Sequence, residues 1–236
     1  MAPLTFCVLQ RKKLAQCKRR RIANEPIVQE QKLCNITLGE SVAATDPCYS
    51  VGTEVGEFEI AMKPGEYEVR VARGEITGQY TTKEGEEKTY NFGERVARLR
   101  IIRKSPRAEG MRRYEKVSEW EYNSSLGVDS GRMSIWNAVK YNNEDGQAAR
   151  EWEYDRYEKD PDNYWWNANE DGVWTDAGLG DGLYPCLLGR NKDGEAVALS
   201  IIFIFPESLL DEDGSIELND EKLLSLADAP ASLLVE

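Results

Sequence analysis

Gly178-Leu179-Gly180-Asp181-Gly182-Leu183-Tyr184-Pro185 sets three glycines at alternate positions, with one carboxylate between the last two. Glycine reaches positive φ without steric cost, so this loop can take turns closed to other residues and hold Asp181 at its tip. A hairpin pattern follows. Tyr184 to Leu188 reads as a strand, Arg190-Asn191-Lys192-Asp193-Gly194 as a turn, and Ala196 to Phe205 as a longer, more apolar strand. A rigid acidic loop that opens an apolar hairpin predicts a β-rich domain with this hairpin at its centre.

Outward from that hairpin, short alternating runs recur. Strand signals begin near Ile36. Val42 and Ala44 lead to Asp46-Pro47, which stops a strand and starts a turn. Phe58, Ile60 and Met62 alternate with acids, Pro64-Gly65 fits a type II turn, and Tyr67, Val69 and Val71 alternate again, so this region predicts an antiparallel hairpin. The glycines and polar residues of 74–93 read as loop with at most a short strand. Ala97, Leu99 and Ile101 share one face of a further strand, and Val96, Arg98, Arg100 and Ile102 the other. Trp120 and Tyr122, then Met133, Ile135 and Trp136, complete the strand signals. No βαβ alternation and no internal repeat is visible. The pattern predicts a mainly β chain, either an antiparallel β-sandwich or a barrel-like sheet.

Three segments differ from this pattern. Residues 1–25 form a basic arm, with seven Lys and Arg between Arg11 and Arg21 and no acid among them. Such a cluster is ordinarily solvated and disordered, and it is the one part of the chain suited to nucleic acid. The β-rich domain is expected over 26–206, with an acidic, aromatic and partly helical insertion at 142–171 that ends in Trp165 and Trp166. Residues 207–236 form an acidic tail with one short helix near Asp220 to Ala227.

Composition removes several chemistries. The 236 residues contain no histidine, which excludes Ser-His-Asp and Cys-His catalysis and every His-ligated metal site. The net charge of −12 opposes nucleic-acid binding by the protein's general field. Five cysteines, none at C-x-x-C spacing, fit a reducing compartment, so a cytoplasmic protein is expected. No apolar run is long enough to span a bilayer.

Four pieces stand in order: Leu38-Gly39-Glu40 leading to Asp46-Pro47-Cys48-Tyr49; Lys63-Pro64-Gly65-Glu66-Tyr67-Glu68-Val69; Gly127-Val128-Asp129-Ser130-Gly131; and the glycine-rich loop of Gly178 to Pro185. In this order they resemble a DUF4241-type family of uncharacterised bacterial and phage-associated proteins, over roughly residues 36–206. The resemblance implies a β-rich fold and a bacterial or phage source. It implies no catalytic residue and no cofactor.

Candidate site residues follow from the turns. Asp46, Asp129 and Asp181 each sit beside glycine or proline. Convergent, they would suit a hard cation; otherwise each accepts hydrogen bonds from its own loop, which is the reading adopted, with no metal assigned. The glycine-rich loop lacks the Lys-Ser/Thr of a phosphate-binding loop. Cys48 and Cys186 have no histidine to activate them and read as small apolar residues. The expected function is a non-enzymatic module binding a small ligand or protein through Asp46, Asp129, Gly180, Asp181, Gly182, Tyr184, Trp165 and Trp166. Two alternatives stand beside it: an acidic inhibitor or decoy in phage–host conflict, and a metal-assisted hydrolase using Asp129 and Asp181.

Overall fold

Alternating apolar and polar side chains fold into strands wherever one face can be buried, and here they do so in two sheets. The computed structural model describes residues 29–48, 59–81, 85–105, 113–141, 165–205 and 221–228. The basic arm, most of the acidic insertion and most of the tail lie outside the described residues. In chain order the strands are β1 (Gln29–Leu38), β2 (Ser41–Thr45), β3 (Glu59–Ala61), β4 (Gly65–Thr81), β5 (Glu87–Arg103), β6 (Glu119–Val128), β7 (Arg132–Asn137), β8 (Trp166–Ala168), β9 (Gly172–Asp176), β10 (Gly182–Arg190) and β11 (Ala196–Ile202). Among the described residues two short helices accompany them, α1 (Ala138–Tyr141) after β7 and α2 (Glu221–Ser225).

A six-stranded sheet has the order β1-β4-β5-β11-β10-β6, and a five-stranded sheet the order β3-β2-β7-β9-β8. All pairings are antiparallel. Both sheets remain open, so of the two expected arrangements the sandwich is the one that fits. Val69, Val71, Leu99, Ile101, Leu199 and Ile201 from the larger sheet share one core with Val42, Ala44, Ile135 and Val173 from the smaller. β10 and β11 form the expected hairpin, with Cys186 opposite Ile201 and Leu188 opposite Leu199. Asn191 closes its turn by accepting N–H bonds from Asp193 and Glu195, both at 3.0 Å.

Two local expectations are corrected. The alternating runs on either side of Pro64 do not pair with each other. β3 pairs β2 in the smaller sheet, whereas β4 pairs β1 and β5 in the larger. The chain changes sheets between them, with Met62 N–H bonded to Glu40 O and Lys63 N–H to Ala196 O, each at 2.9 Å. Both runs carry the same period, and period does not record which neighbour a strand takes. Residues 74–93 are mostly ladder rather than loop. The β4–β5 pairing continues from Gly74 opposite Arg95 to Thr81 opposite Glu87. Backbone hydrogen bonding sustains it while Glu87, Lys88 and Thr89 stand exposed, which is why composition read as loop.

Arg98, Arg100 and Arg103 invite reading as an anion-binding stripe, or more simply as a face that is solvated or paired with Glu57 and Glu59; Glu57 lies outside the described residues, and the face is neither solvated nor paired with Glu59. Arg98 and Arg100 are buried beneath the segment of α2, whose Leu223, with the following Leu226 and Ala227, packs into the core. Arg98 donates to Leu226 O at 2.5 Å and Glu30 Oε1 at 2.8 Å. Arg100 donates to both Glu30 oxygens, at 2.6 and 2.7 Å, and Arg70 reaches the same carboxylate at 3.1 Å. Burial alone would push the Glu30 carboxyl up; Arg100, Arg98 and Arg70 together hold it below its ordinary value. Arg103 lies apart, on Glu115 and the carbonyl of Pro64.

Candidate functional site

At one end of the sandwich three turns meet: the one after β2, the β6–β7 turn at Asp129-Ser130-Gly131, and the β9–β10 turn at Ala177 to Asp181. Asp46 joins the first two. Its side chain is completely buried and accepts four hydrogen bonds. Oδ1 takes Cys48 N–H at 2.9 Å and the Ser130 hydroxyl at 2.7 Å; Oδ2 takes the N–H groups of Asp129 at 2.8 Å and Ser130 at 2.7 Å. A buried carboxylate is tolerated when donors surround it in this way. The expectation that Asp46 serves its own loop is therefore only partly right, since three of its four donors come from a turn more than eighty residues later.

The β6–β7 and β9–β10 turns touch directly. Ala177 N–H bonds to Gly131 O at 2.8 Å, and a Cβ on Gly131 would stand 3.8 Å from the Gly180 Cα. Gly180 N–H closes its own turn onto Ala177 O at 2.7 Å. Gly178, at φ +49°, lies so close to Phe203 that a Cβ there would come within 2.7 Å of the Phe203 Cβ. Gly180 has φ +105° with open space beside it. Gly182 has no such φ; its missing side chain makes room for the Tyr184 ring, which a Cβ would approach to 3.2 Å. Tyr184 clamps the loop by donating to Gly180 O at 2.6 Å, and its ring stands edge-on to Phe203 with centroids 5.0 Å apart.

Asp129 and Asp181 are exposed while Asp46 points inward. Among the described residues no group of three or more Asp, Glu or Cys side chains is arranged to hold a metal ion. The glycine-rich loop leads into β10 and not into a helix, so it presents no helix N-terminus to a phosphate. Of the two cysteines read as small apolar residues, Cys186 is buried, and burial pushes its thiol far above the ordinary range, which leaves it protonated at neutral pH; Cys48 is exposed, which corrects that reading, because its turn lies at the surface.

Sequence reasoning missed two features of this end. Leu179 is 44% exposed and Leu183 43%, and the described residues hold one further large exposed apolar side chain, Val139. The signal was present, since Leu179 and Leu183 flank Asp181 at positions two before and two after it. The second feature is Asp176 on β9, opposite Arg132 in the ladder. Its carboxyl is half-buried, and desolvation raises it above its ordinary value although Arg132, Arg95 and Arg73 lie near enough to pull the other way. Trp165 caps this flank. Its carbonyl accepts Asp176 N–H at 2.8 Å and Arg73 lies over its ring at 4.2 Å. Trp166 is half-buried, 6.0 Å from Trp165 by centroid. The structure thus brings Asp46, Asp129, Gly180, Gly182 and Tyr184 together, sets Asp181 at the tip, and places the two tryptophans on the adjoining flank.

Fold and site define a mainly β protein of two open antiparallel sheets, with a clamped glycine-rich loop at one end. A family model described as Protein of unknown function (DUF4241) matches residues 37–201, most of the chain, and the protein belongs to that family. No curated protein and no solved structure matches the chain. Among the described residues no helix is long and apolar enough to cross a membrane.

Proposed function

We propose that the protein is a non-enzymatic binding module that takes a protein partner at the end of the sandwich carrying the glycine-rich loop. One observation carries this reading: Leu179 on the loop and Leu183 at the start of β10 project into solvent from a backbone fixed by Tyr184, Gly131, Ala177 and the β10–β6 ladder. Exposed apolar side chains on a rigid support lose little conformational freedom on binding, and they form the dry centre of an interface within a polar rim. Asp129 and Asp181 provide that rim and favour a partner with basic residues around an apolar contact. Trp165 and Trp166 extend the surface with aromatic area. The buried thiol of Cys186 and the half-buried thiol of Cys34 accord with a reducing, cytoplasmic setting.

The test is a photo-crosslinking amino acid placed at Leu179 and, as a control, at Lys88 on the β4–β5 hairpin, in cells that express the full chain. A partner crosslinked from position 179 and absent from position 88 is expected. The double variant Leu179→Ser, Leu183→Ser should lose that partner while keeping its thermal midpoint. Equal crosslinking from both positions, or none from either, refutes the reading.

A further inference from the structure

The ribbon formed by β4 and β5 runs on past both of its neighbours. The described pairing of β1 ends with Gln29 opposite Arg73, and that of β11 with Ile202 opposite Arg98. From Gly74 to Thr81, β4 is laddered with β5 alone. Two strands without a third are marginal in water, so this stretch lacks the support that the rest of the sheet has. Its two outer edges differ. Wherever the ladder shifts register, the extra residue lies on β5. Ala97 is unmatched, because Ala72 faces Arg98 while Arg73 faces Val96. Phe92 and Gly93 together stand against Ile76 alone, with Gly93 at φ +71°. The β5 edge also carries exposed Glu87, Lys88 and Glu94. Bulges and charges are the means by which proteins keep an edge strand from pairing. β4 has neither: it holds no extra residue, and Ile76-Thr77-Gly78-Gln79-Tyr80-Thr81 contains no charge and no proline. Among the described residues nothing pairs with this edge.

The residues of that edge say which strand it suits. Two copies of β4 can pair about a two-fold axis, which uses one patch twice. The register that takes in all of Glu75 to Thr81 sets Gly78 opposite Gly78, Thr77 opposite Gln79, Ile76 opposite Tyr80 and Glu75 opposite Thr81. No like charges meet, and Ile76 with Tyr80 is a β-branched–aromatic pair that the symmetry repeats. The chain preceding Gln29 is the other candidate. Continued in the register of β1, it would put Pro26 opposite Ile76, and proline gives a ladder no N–H. A second copy meets no such break.

We propose that the β4 edge from Glu75 to Thr81 binds a second copy of this chain, antiparallel and about a two-fold axis at Gly78. The ribbon then has four strands in the order β5-β4-β4-β5, and the two larger sheets become continuous. A strand this short makes a small interface, so the association depends on concentration. The interface is separate from the surface around Leu179, and neither depends on the other. A second copy captured from the Lys88 control position is recognised by carrying the chain's own sequence.

Sedimentation velocity of the full chain over a concentration series tests this. The unmutated protein should pass from monomer to dimer as concentration rises. The register sets position 77 of one copy opposite position 79 of the other. Within their own chain these positions face Asn91 and Thr89, which are uncharged. Thr77→Lys combined with Gln79→Lys therefore brings like charges opposite each other only across the interface, and should weaken the dimer on the order of tenfold. Thr77→Glu combined with Gln79→Glu should do the same, and an equimolar mixture of the lysine and glutamate variants should dimerise again. Amide exchange in the unmutated protein needs no variant: exchange over residues 75–81 should slow as concentration rises. A monomer at every concentration, the result if residues before Gln29 take the edge, overturns the proposal. So does exchange at 75–81 that ignores concentration, a mixture that stays monomeric, or a dimer that the lysine substitutions leave unweakened.

Discussion

Replacing Asp46 by asparagine is the most direct probe of the three-turn end, because the shape stays and one acceptor becomes a donor. The amide can be placed in two ways. With its oxygen at the Oδ1 position it keeps Cys48 N–H and the Ser130 hydroxyl, and sets NH2 against the N–H groups of Asp129 and Ser130. With its oxygen at the Oδ2 position it keeps both of those, and the Ser130 hydroxyl can rotate to accept from the new NH2. Only Cys48 N–H then faces a donor, so the second placement wins. One charge-assisted bond is lost, the other three become neutral, one of them reversed, and the cost is about 2 kcal/mol. Asp46→Ala loses all four bonds and costs about 4–5 kcal/mol, discounted because Asp129 and Ser130 lie where water can return to their amides. Urea denaturation at neutral pH, with the slope checked for constancy, measures both. The order unmutated, asparagine, alanine is expected, with no change on adding Ca²⁺ or Mg²⁺. An asparagine variant as stable as the unmutated protein refutes the reasoning. So does stabilisation of the unmutated protein by either cation.

Gly178→Ala should cost about 2–4 kcal/mol and Gly180→Ala about 1–2 kcal/mol in the same assay, since both need positive φ but only Gly178 abuts Phe203; equal costs would remove that contact from the account. Tyr184→Phe should cost about 1 kcal/mol and speed hydrogen exchange at the Gly180 amide, and an unchanged exchange rate would show that the hydroxyl does not clamp the loop. Glu30 and Glu68 are both held below their ordinary 4.5, so the stability they add is complete above that value and is lost as pH falls through their lower folded values. Glu30→Gln should flatten the acid limb of a stability–pH curve, and an identical limb would contradict the network. Asp176 has the opposite sign: its folded carboxyl holds a proton more tightly than the unfolded one, so its ionised form disfavours folding as pH rises. Asp176→Asn should raise the melting midpoint at neutral pH with the difference closing in acid, and a lower midpoint at neutral pH would show that the arginines outweigh burial.

The fold class and the central hairpin were legible because both rest on local signals. Val197, Leu199 and Ile201 announce a buried strand, and Asn191 to Gly194 announce its turn, without reference to distant residues. Partner choice was not legible. Nothing near Pro64 shows that Ile60 will pair with Val42 while Val69 pairs with Ile101. A left-handed glycine was expected at Gly180 or Gly182; Gly180 has it and Gly178 shares it, whereas Gly182 is set by the approach of Tyr184, a tertiary fact. Asp46 was recognised as a turn carboxylate, but its donors at 129 and 130 lie on a distant turn. The arginine face of β5 was seen, and its partner Glu30 was not, because a carboxylate in a polar run carries no mark of where it will point.

The strand order of the larger sheet has a temporal meaning. β4 and β5 can pair as soon as both exist, and β6 is made soon afterwards, but β10 and β11 lie between β5 and β6 and are made last. Until residue 202 has left the ribosome, the backbone of β5 from Arg98 to Ile102 has no partner on that side, and β6 has no partner in its sheet. From the completion of β6 until β10 and β11 emerge, a nascent chain therefore presents two open strand edges, the condition in which strands from different chains pair with one another. Late insertion of the hairpin also makes closure of this sheet a long-range event, slow compared with forming the hairpins. Shortening the chain from its C-terminus past β10 would remove the middle of a sheet and leave its flanks behind, so folding competence should be lost abruptly at that point and not by degrees.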